Sequence, residues 1–228
     1  MWIRVYFDQS LLAGLGKPSR YLREIHFFNI MNHFIARLFI GTCCLLVPWL
    51  SQAAEPVPLP DDPACTEVDR GFMERAYELA REAVKAGNGP FGAVLVVDGK
   101  IVAEARNTVG TNHDPTRHAE LALISEFSPK IDRDTFRRGV LYASSEPCIM
   151  CSGAILNSGI PKVVYGTTES QFQLFINDAR SQNPLHSREI MARTNPAVQV
   201  SGPLMEKEGL AIHQAYWPEV MKTWSKSH

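Results

Sequence analysis

Val140-Leu141-Tyr142-Ala143-Ser144-Ser145-Glu146-Pro147-Cys148-Ile149-Met150-Cys151-Ser152-Gly153-Ala154-Ile155-Leu156-Asn157-Ser158-Gly159-Ile160-Pro161-Lys162-Val163-Val164-Tyr165-Gly166 is the stretch that decides the fold. Val140 to Ser144 is a short apolar run suited to a strand. Cys148 to Ser158 is rich in small apolar residues, is entered through Pro147 and is closed by Gly159-Ile160-Pro161, the punctuation of a short helix. Lys162 to Gly166 is a second strand. A strand, a helix and a strand joined this closely pair in parallel within one sheet, with a right-handed crossover.

Upstream, Val68, Phe72, Ala76, Leu79, Ala80, Ala83 and Val84 recur at three-four spacing among charged residues, which predicts an amphipathic helix over 67–86 stopped by Gly87-Asn88-Gly89-Pro90. Phe91 to Val97 and Ile101 to Ala105 read as antiparallel strands joined by Asp98-Gly99, a strong two-residue hairpin signal. Arg106 to Arg117 reads as a loop, and a helix with an almost all-round apolar surface begins after His118, as expected of one buried against a sheet. Beyond Gly166 the pattern weakens: helices near Phe172 and over 187–192, a strand at Val198 to Val200, and a helix over 204–224 kinked or split at Pro218. The sum is an α/β domain with a mixed sheet.

Two short motifs fall at strand-to-helix or loop-to-helix transitions: His118-Ala119-Glu120 and Pro147-Cys148-Ile149-Met150-Cys151. One imidazole and two thiolates supply three corners of a zinc tetrahedron and leave the fourth for water, the arrangement of a catalytic rather than a structural site. A carboxylate at Glu120, near the metal without binding it, is placed to move protons. Taken alone, His118 would be a hydrogen-bonded core histidine, Glu120 a first-turn carboxylate favoured by the helix dipole, and the two cysteines a redox pair. Their occurrence together, about 30 residues apart with a strand between, favours the metal.

The chain has 228 residues, 45% hydrophobic and 21% charged, with a formal net charge of -1. That accommodates one core-bearing domain of about 150 residues and an N-terminal extra. No Lys/Arg run or basic aromatic stripe offers a grip on a nucleic-acid backbone, which weighs against a polymer substrate. Of the five cysteines, Cys43 and Cys44 lie in an apolar run and Cys65 stands alone.

Residues 1–30 carry no assignable chemistry. From Met31 the chain reads as a signal peptide over 31–54: a short region ending in Arg37, an apolar run from Leu38 to Leu50, and the small residues Ser51 and Ala53 before a Pro-rich linker over 55–66. The run is about 13 residues, against the roughly 20 needed to span a bilayer, so no stable membrane anchor is expected. Met31 is then the expected start, with 1–30 an upstream mis-start, and the product is periplasmic or secreted, or cytoplasmic if the segment does not work as a signal.

Five segments together resemble the cytidine and deoxycytidylate deaminase superfamily, in the branch of bacterial guanine deaminases and tRNA adenosine deaminases. They are Asn88-Gly89-Pro90-Phe91-Gly92-Ala93-Val94, Asn107, Asp114-Pro115-Thr116-Arg117-His118-Ala119-Glu120, Glu146 to Ile155, and Val163-Val164-Tyr165-Gly166. The likeness covers about residues 67 to 170 of the proposed 67–228 domain. It implies a three-layer α/β/α cytidine deaminase-like fold with a mixed five-stranded central sheet. It also implies one Zn2+ per chain on His118, Cys148 and Cys151, and Glu120 as the proton shuttle. Asn107, Phe91, Ala119 and Asp178 would contact the base. As residues, Asn107 has the lesser alternative of a turn amide, Phe91 is equally core, and Asp178 reads first as a solvated loop carboxylate.

The substrate class implied is a purine base or nucleoside, guanine or guanosine favoured. tRNA adenosine or a cytidine-type substrate is the alternative, and a zinc-stabilised nucleotide-binding module is the non-enzymatic one. The tail departs from guanine deaminases: Asn177-Asp178 stands in place of an acidic pair, and the chain ends without a terminal tyrosine. The resemblance implies a homodimer with C-terminal segments near the neighbour's pocket, whereas the run His213-Gln214-Ala215-Tyr216-Trp217 would equally close the chain's own core. N-terminal sequencing of the exported protein is expected to begin at Ala54 or Glu55; a mature chain starting at Met1 would refute the signal peptide.

Overall fold

A computed structural model describes residues 56–176 and 185–224. The signal-peptide stretch, Cys43, Cys44 and Asp178 lie outside the described residues. Helix α1 (Glu67–Lys85) starts at a capping box, in which Thr66 and Asp69 exchange hydrogen bonds between side chain and backbone. Its apolar face, Met73, Ala76, Tyr77, Leu79, Ala80 and Ala83, is buried. Gly87 follows in the left-handed region at φ 81, where a glycine meets no steric cost.

Strands β1 (Gly92–Val97) and β2 (Lys100–Arg106) form the expected hairpin. Asp98 at φ 49 and Gly99 at φ 72 are both left-handed, as the two central residues of a type I′ turn must be, and Val97 pairs with Lys100 across it. A short helix, α2 (Val109–Asn112), lies within the stretch read as a loop, and α3 (Ala119–Phe127) follows. Helix α4 (Arg133–Arg137) has no apolar period; Asp132 caps it by accepting from the Thr135 N–H. Then come β3 (Val140–Ser145), α5 (Ile149–Ser158) ended by left-handed Gly159, and β4 (Lys162–Thr167). The chain continues through α6 (Glu169–Ile176), α7 (Ser187–Ala192), β5 (Gln199–Ser201) and α8 (Glu206–Trp224). Pro218 sits inside α8 without splitting it; Gln214, the residue whose carbonyl loses its helical partner, is exposed, so water replaces the missing donor.

The sheet order is β2-β1-β3-β4-β5. β1 is antiparallel to β2 and β3, while β3, β4 and β5 run parallel, so the sheet is mixed and five-stranded. Both faces are covered, which explains why β1 is apolar at every position instead of alternating. Ala93, Leu95, Leu141, Val163 and Tyr165 face Leu123 of α3 and Ile155 of α5. Val94, Val96, Tyr142 and Val164 face Met73 and Tyr77 of α1. Among the described residues no helix is long and apolar enough to cross a membrane.

The Pro-rich stretch is hydrogen-bonded to the body of the fold. Val57 N–H donates to Gln171, Leu59 N–H to Glu206, Asp62 N–H to the Pro203 carbonyl, and Asp61 and Asp62 accept from the Met205 and Gly202 N–H groups. Proline at every second position removes alternate donors, and the remaining ones at Val57 and Leu59 are both used.

At Gly92 the sheet and α1 approach closely: a Cβ there would sit well inside contact with the Ala76 carbonyl and the Leu79 side chain. Gly92→Ala is expected to destabilise the fold by about 3 kcal/mol, read as a lowered urea midpoint, because backbone and not a flexible side chain must move.

Candidate metal and active site

The crossover places the chemistry. His118 is the N-cap of α3 and Cys148 the N-cap of α5, while Cys151 lies one turn inside α5. N-caps usually carry a hydroxyl or carboxylate that accepts from the first free N–H groups; here neither side chain makes that bond. Their ligating atoms and the Cys151 sulfur lie within 4.8 Å of one another, the one group of three metal-ligating side chains found among the described residues. His118 Nδ1 and Cys148 Sγ are 3.6 Å apart. Zinc bonds of about 2.0 and 2.3 Å at a tetrahedral angle require about 3.5 Å between those atoms, so the donor set fits zinc in type and in spacing.

The helix ends favour anionic sulfur. The backbone N–H of Cys151 lowers the Cys148 thiol, and that of Leu121 acts in the same sense on Cys151. The Cys148 thiol is brought down to about 4, first by the hydrogen bond from Cys151 and then, against its burial, by His118. The Cys151 thiol is raised as the donor of that same bond, and the His118 imidazole is raised by its bond to the Cys148 sulfur. A bound divalent ion deprotonates coordinating thiols outright.

Glu120, the second residue of α3, is buried with Oε2 3.6 Å from the Cys151 sulfur. Burial, and after it the nearby Cys148 thiolate, pushes its carboxyl up to about 7, where it both takes and gives a proton near neutrality. Phe91 lies parallel to the His118 imidazole, at 7° with 6.4 Å between ring centres. Asn107 is buried beside it: its N–H donates to the Phe91 carbonyl, and its Oδ1 accepts from the Val109 N–H at 3.1 Å. Ala119 is fully buried, its methyl in the core under α3. The residues read from sequence as metal ligands and proton carrier therefore share one spot, and Phe91 joins them through His118.

The cytidine and deoxycytidylate deaminase zinc-binding region matches residues 66–167. A probable cytosine deaminase of Schizosaccharomyces pombe is 31% identical over 155 residues, 67% of this chain and 94% of that protein. The chain belongs to the cytidine and deoxycytidylate deaminase family. Its deaminase relatives also include the guanine deaminase of Bacillus subtilis, 46% identical over 99 residues, which are 43% of this chain and 63% of that protein. The tRNA-specific adenosine deaminase 2 of Xenopus tropicalis is 39% identical over 113 residues, 47% of this chain and 66% of that protein, so the chain spans just under two thirds of the length of each of these two relatives. The guanine deaminase structure from Nitrosomonas europaea superposes with a TM-score of 0.56 at 25% identity, over 75% of this chain and 93% of that one, and shares the cytidine deaminase-like fold.

Behind Phe91 the chain carries residues to which the sequence assigned no role at the site. His213 of α8 stacks on Phe172 of α6, and its Nε2 is 3.0 Å from the Ser145 hydroxyl. The Trp217 indole N–H, which can only donate, is 3.0 Å from His213 Nδ1. That fixes the tautomer: Nδ1 accepts, and the proton sits on Nε2 and is donated to Ser145. The aromatic run is the signal that pointed here, and it packs against its own chain.

Full burial pushes the His213 pKa down to about 3. Between about pH 6.5 and 3 the unfolded chain binds a proton at His213 that the folded chain refuses, so this residue lowers stability as pH falls through that window. Wild type is expected to lose about 2 kcal/mol more than His213→Gln between pH 7 and pH 5, measured from urea midpoints at each pH.

Proposed function

We propose that the chain hydrolytically deaminates a purine base or its nucleoside, with guanine or guanosine as the first candidate. The observation that carries the chemistry is the buried Glu120 carboxyl packed against the His118, Cys148 and Cys151 donors. Zinc on those three residues supplies Lewis-acid activation of water near neutral pH. Glu120 takes the proton of the attacking water and delivers it to the ring nitrogen beside the amine-bearing carbon. It then takes the remaining proton from the added hydroxyl and gives it to the amine, which leaves as ammonia while the carbon keeps the oxygen as a carbonyl.

The geometry around that spot supports a flat heterocycle. A ring lying between two others needs roughly 7 Å from face to face, since carbon atoms touch at about 3.5 Å. The Phe91 and His118 rings are parallel with centres 6.4 Å apart, short of that separation, so a base entering between them must part the two rings slightly. Asn107 spends its oxygen on Val109, so its amide N–H groups are what it offers to an acceptor on the base edge. Ala119, its methyl being in the core, has for a base only its N–H, one of those a helix start leaves without an intrahelical partner. The 46% identity to a guanine deaminase supports the purine, and export through the 31–54 signal would place the enzyme among free bases and not among tRNA. A pyrimidine substrate is the second reading, supported by the near full-length match to a probable cytosine deaminase.

Ammonia release from guanine, guanosine, adenine, adenosine, cytosine, cytidine and a tRNA anticodon stem tests the substrate, with guanine or guanosine expected to respond. Glu120→Ala is expected to lower kcat on that substrate by at least about a thousandfold while zinc content stays near one per chain by elemental analysis. Retained turnover would remove Glu120 from the mechanism.

A further inference from the structure

We infer that His213 is a positioning residue that holds the Phe91 ring parallel to the His118 imidazole and so sets how firmly a flat base is gripped. The inference rests on the proposed reading of the Phe91–His118 gap as the base slot.

Phe91 is backed by three rings. His213 meets it at 5.4 Å and 62°, Phe172 at 5.8 Å and 71°, and Trp217 at 6.3 Å and 56°. His118 is the ring it lies parallel to. The terminal torsion of a phenylalanine has a broad minimum, so the plane of such a ring is set by what touches it. Edge-to-face contacts such as those of His213 and Phe172 are favourable in a restricted set of orientations, and with the tilted Trp217 ring beside them they fix the plane.

Among the three rings His213 is itself fixed from every side. Its face lies on Phe172 at 4.7 Å and 9°, Nδ1 accepts from Trp217, and Nε2–H donates to Ser145. It is fully buried and takes no part in the proton transfers assigned to Glu120. An aliphatic side chain would fill the volume without the cost of burying two ring nitrogens; what the imidazole adds is direction. Ser145 ends β3 three residues before Cys148, so the same imidazole ties α8 to the loop that presents the metal-ligating sulfurs.

The test uses the zinc-loaded full chain with His213→Leu, which keeps bulk and removes both hydrogen bonds, and with Ser145→Ala, a smaller change that removes one. In crystal structures of the variants, the Phe91 ring is expected to leave the plane parallel to His118, by a larger angle in His213→Leu. On the base or nucleoside that the substrate panel identifies, KM is expected to rise about tenfold in His213→Leu with kcat within about threefold, the range of a lost stacking contact. In a Phe91→Leu background His213→Leu is expected to leave KM unchanged, because the ring it positions is gone.

A Phe91 ring that stays parallel in both variants would overturn the inference, as would an undiminished KM effect in the Phe91→Leu background. Should His213→Leu not fold, Ser145→Ala carries the same two readouts. If no compound in the panel is turned over, the proposed function fails, while the ring angle still decides the role of His213.

Discussion

Two helices begin at the same point in space, and each begins with a metal-ligating side chain where a capping hydroxyl would ordinarily stand. Everything else in the fold serves that constraint. The N-terminal N–H groups of α3 and α5, left without side-chain caps at His118 and Cys148, favour thiolate instead: that of Cys151 lowers the Cys148 thiol and that of Leu121 acts in the same sense on Cys151. Helix dipoles and unpaired donors make a doubly thiolate site tolerable in a buried place. Removing the anionic ligands would leave two helix ends with no partner.

Holding two helix starts within a few ångströms requires a rigid platform, and the sheet provides it. α3 and α5 lie on one face of β1, β3 and β4, and α1 clamps the other so closely that position 92 admits no side chain beyond hydrogen. The parallel β3–β4 pair puts the carboxyl ends of both strands on one side, where Ser145 and Glu146 lead into the Cys148 turn. Glu146 is buried there and accepts from the Ser187 N–H and hydroxyl, so α7 braces the turn from outside.

How much of this was legible in the sequence follows from the range of each interaction. The hairpin at Asp98-Gly99, helix α1 and the crossover are local: turn dihedrals, three-four periodicity and helix punctuation are written in adjacent residues. The metal donors were legible because zinc demands particular atoms at particular spacings. α2 and α4 were missed because helices of four and five residues have no room for a period. Ser145, Phe172 and His213 were beyond reach for another reason: they meet across separations of up to 68 residues, and nothing local marks a histidine whose ring nitrogens are met by Trp217 and Ser145. The Pro-rich stretch read as a linker because its composition is that of one, yet its few remaining N–H groups find acceptors on α6 and at the start of α8.

That last contact links the two halves of the site. Glu206, fully buried at the start of α8, accepts from Leu59 N–H and from the Thr168 N–H and hydroxyl, which anchors α8 between the N-terminal strap and the end of β4. α8 carries His213 and Trp217 to the back of Phe91, while the metal donors and Glu120 come from residues 118–151. On the proposed reading, reaction type and base grip reside in separate parts of the chain under different physical demands. Metal ligation tolerates errors of tenths of an ångström, so its motif is invariant in form and readable. Stacking tolerates many ring types and angles, so the rings that receive a base can be replaced without loss of the chemistry, and a motif that names the reaction leaves the base unnamed.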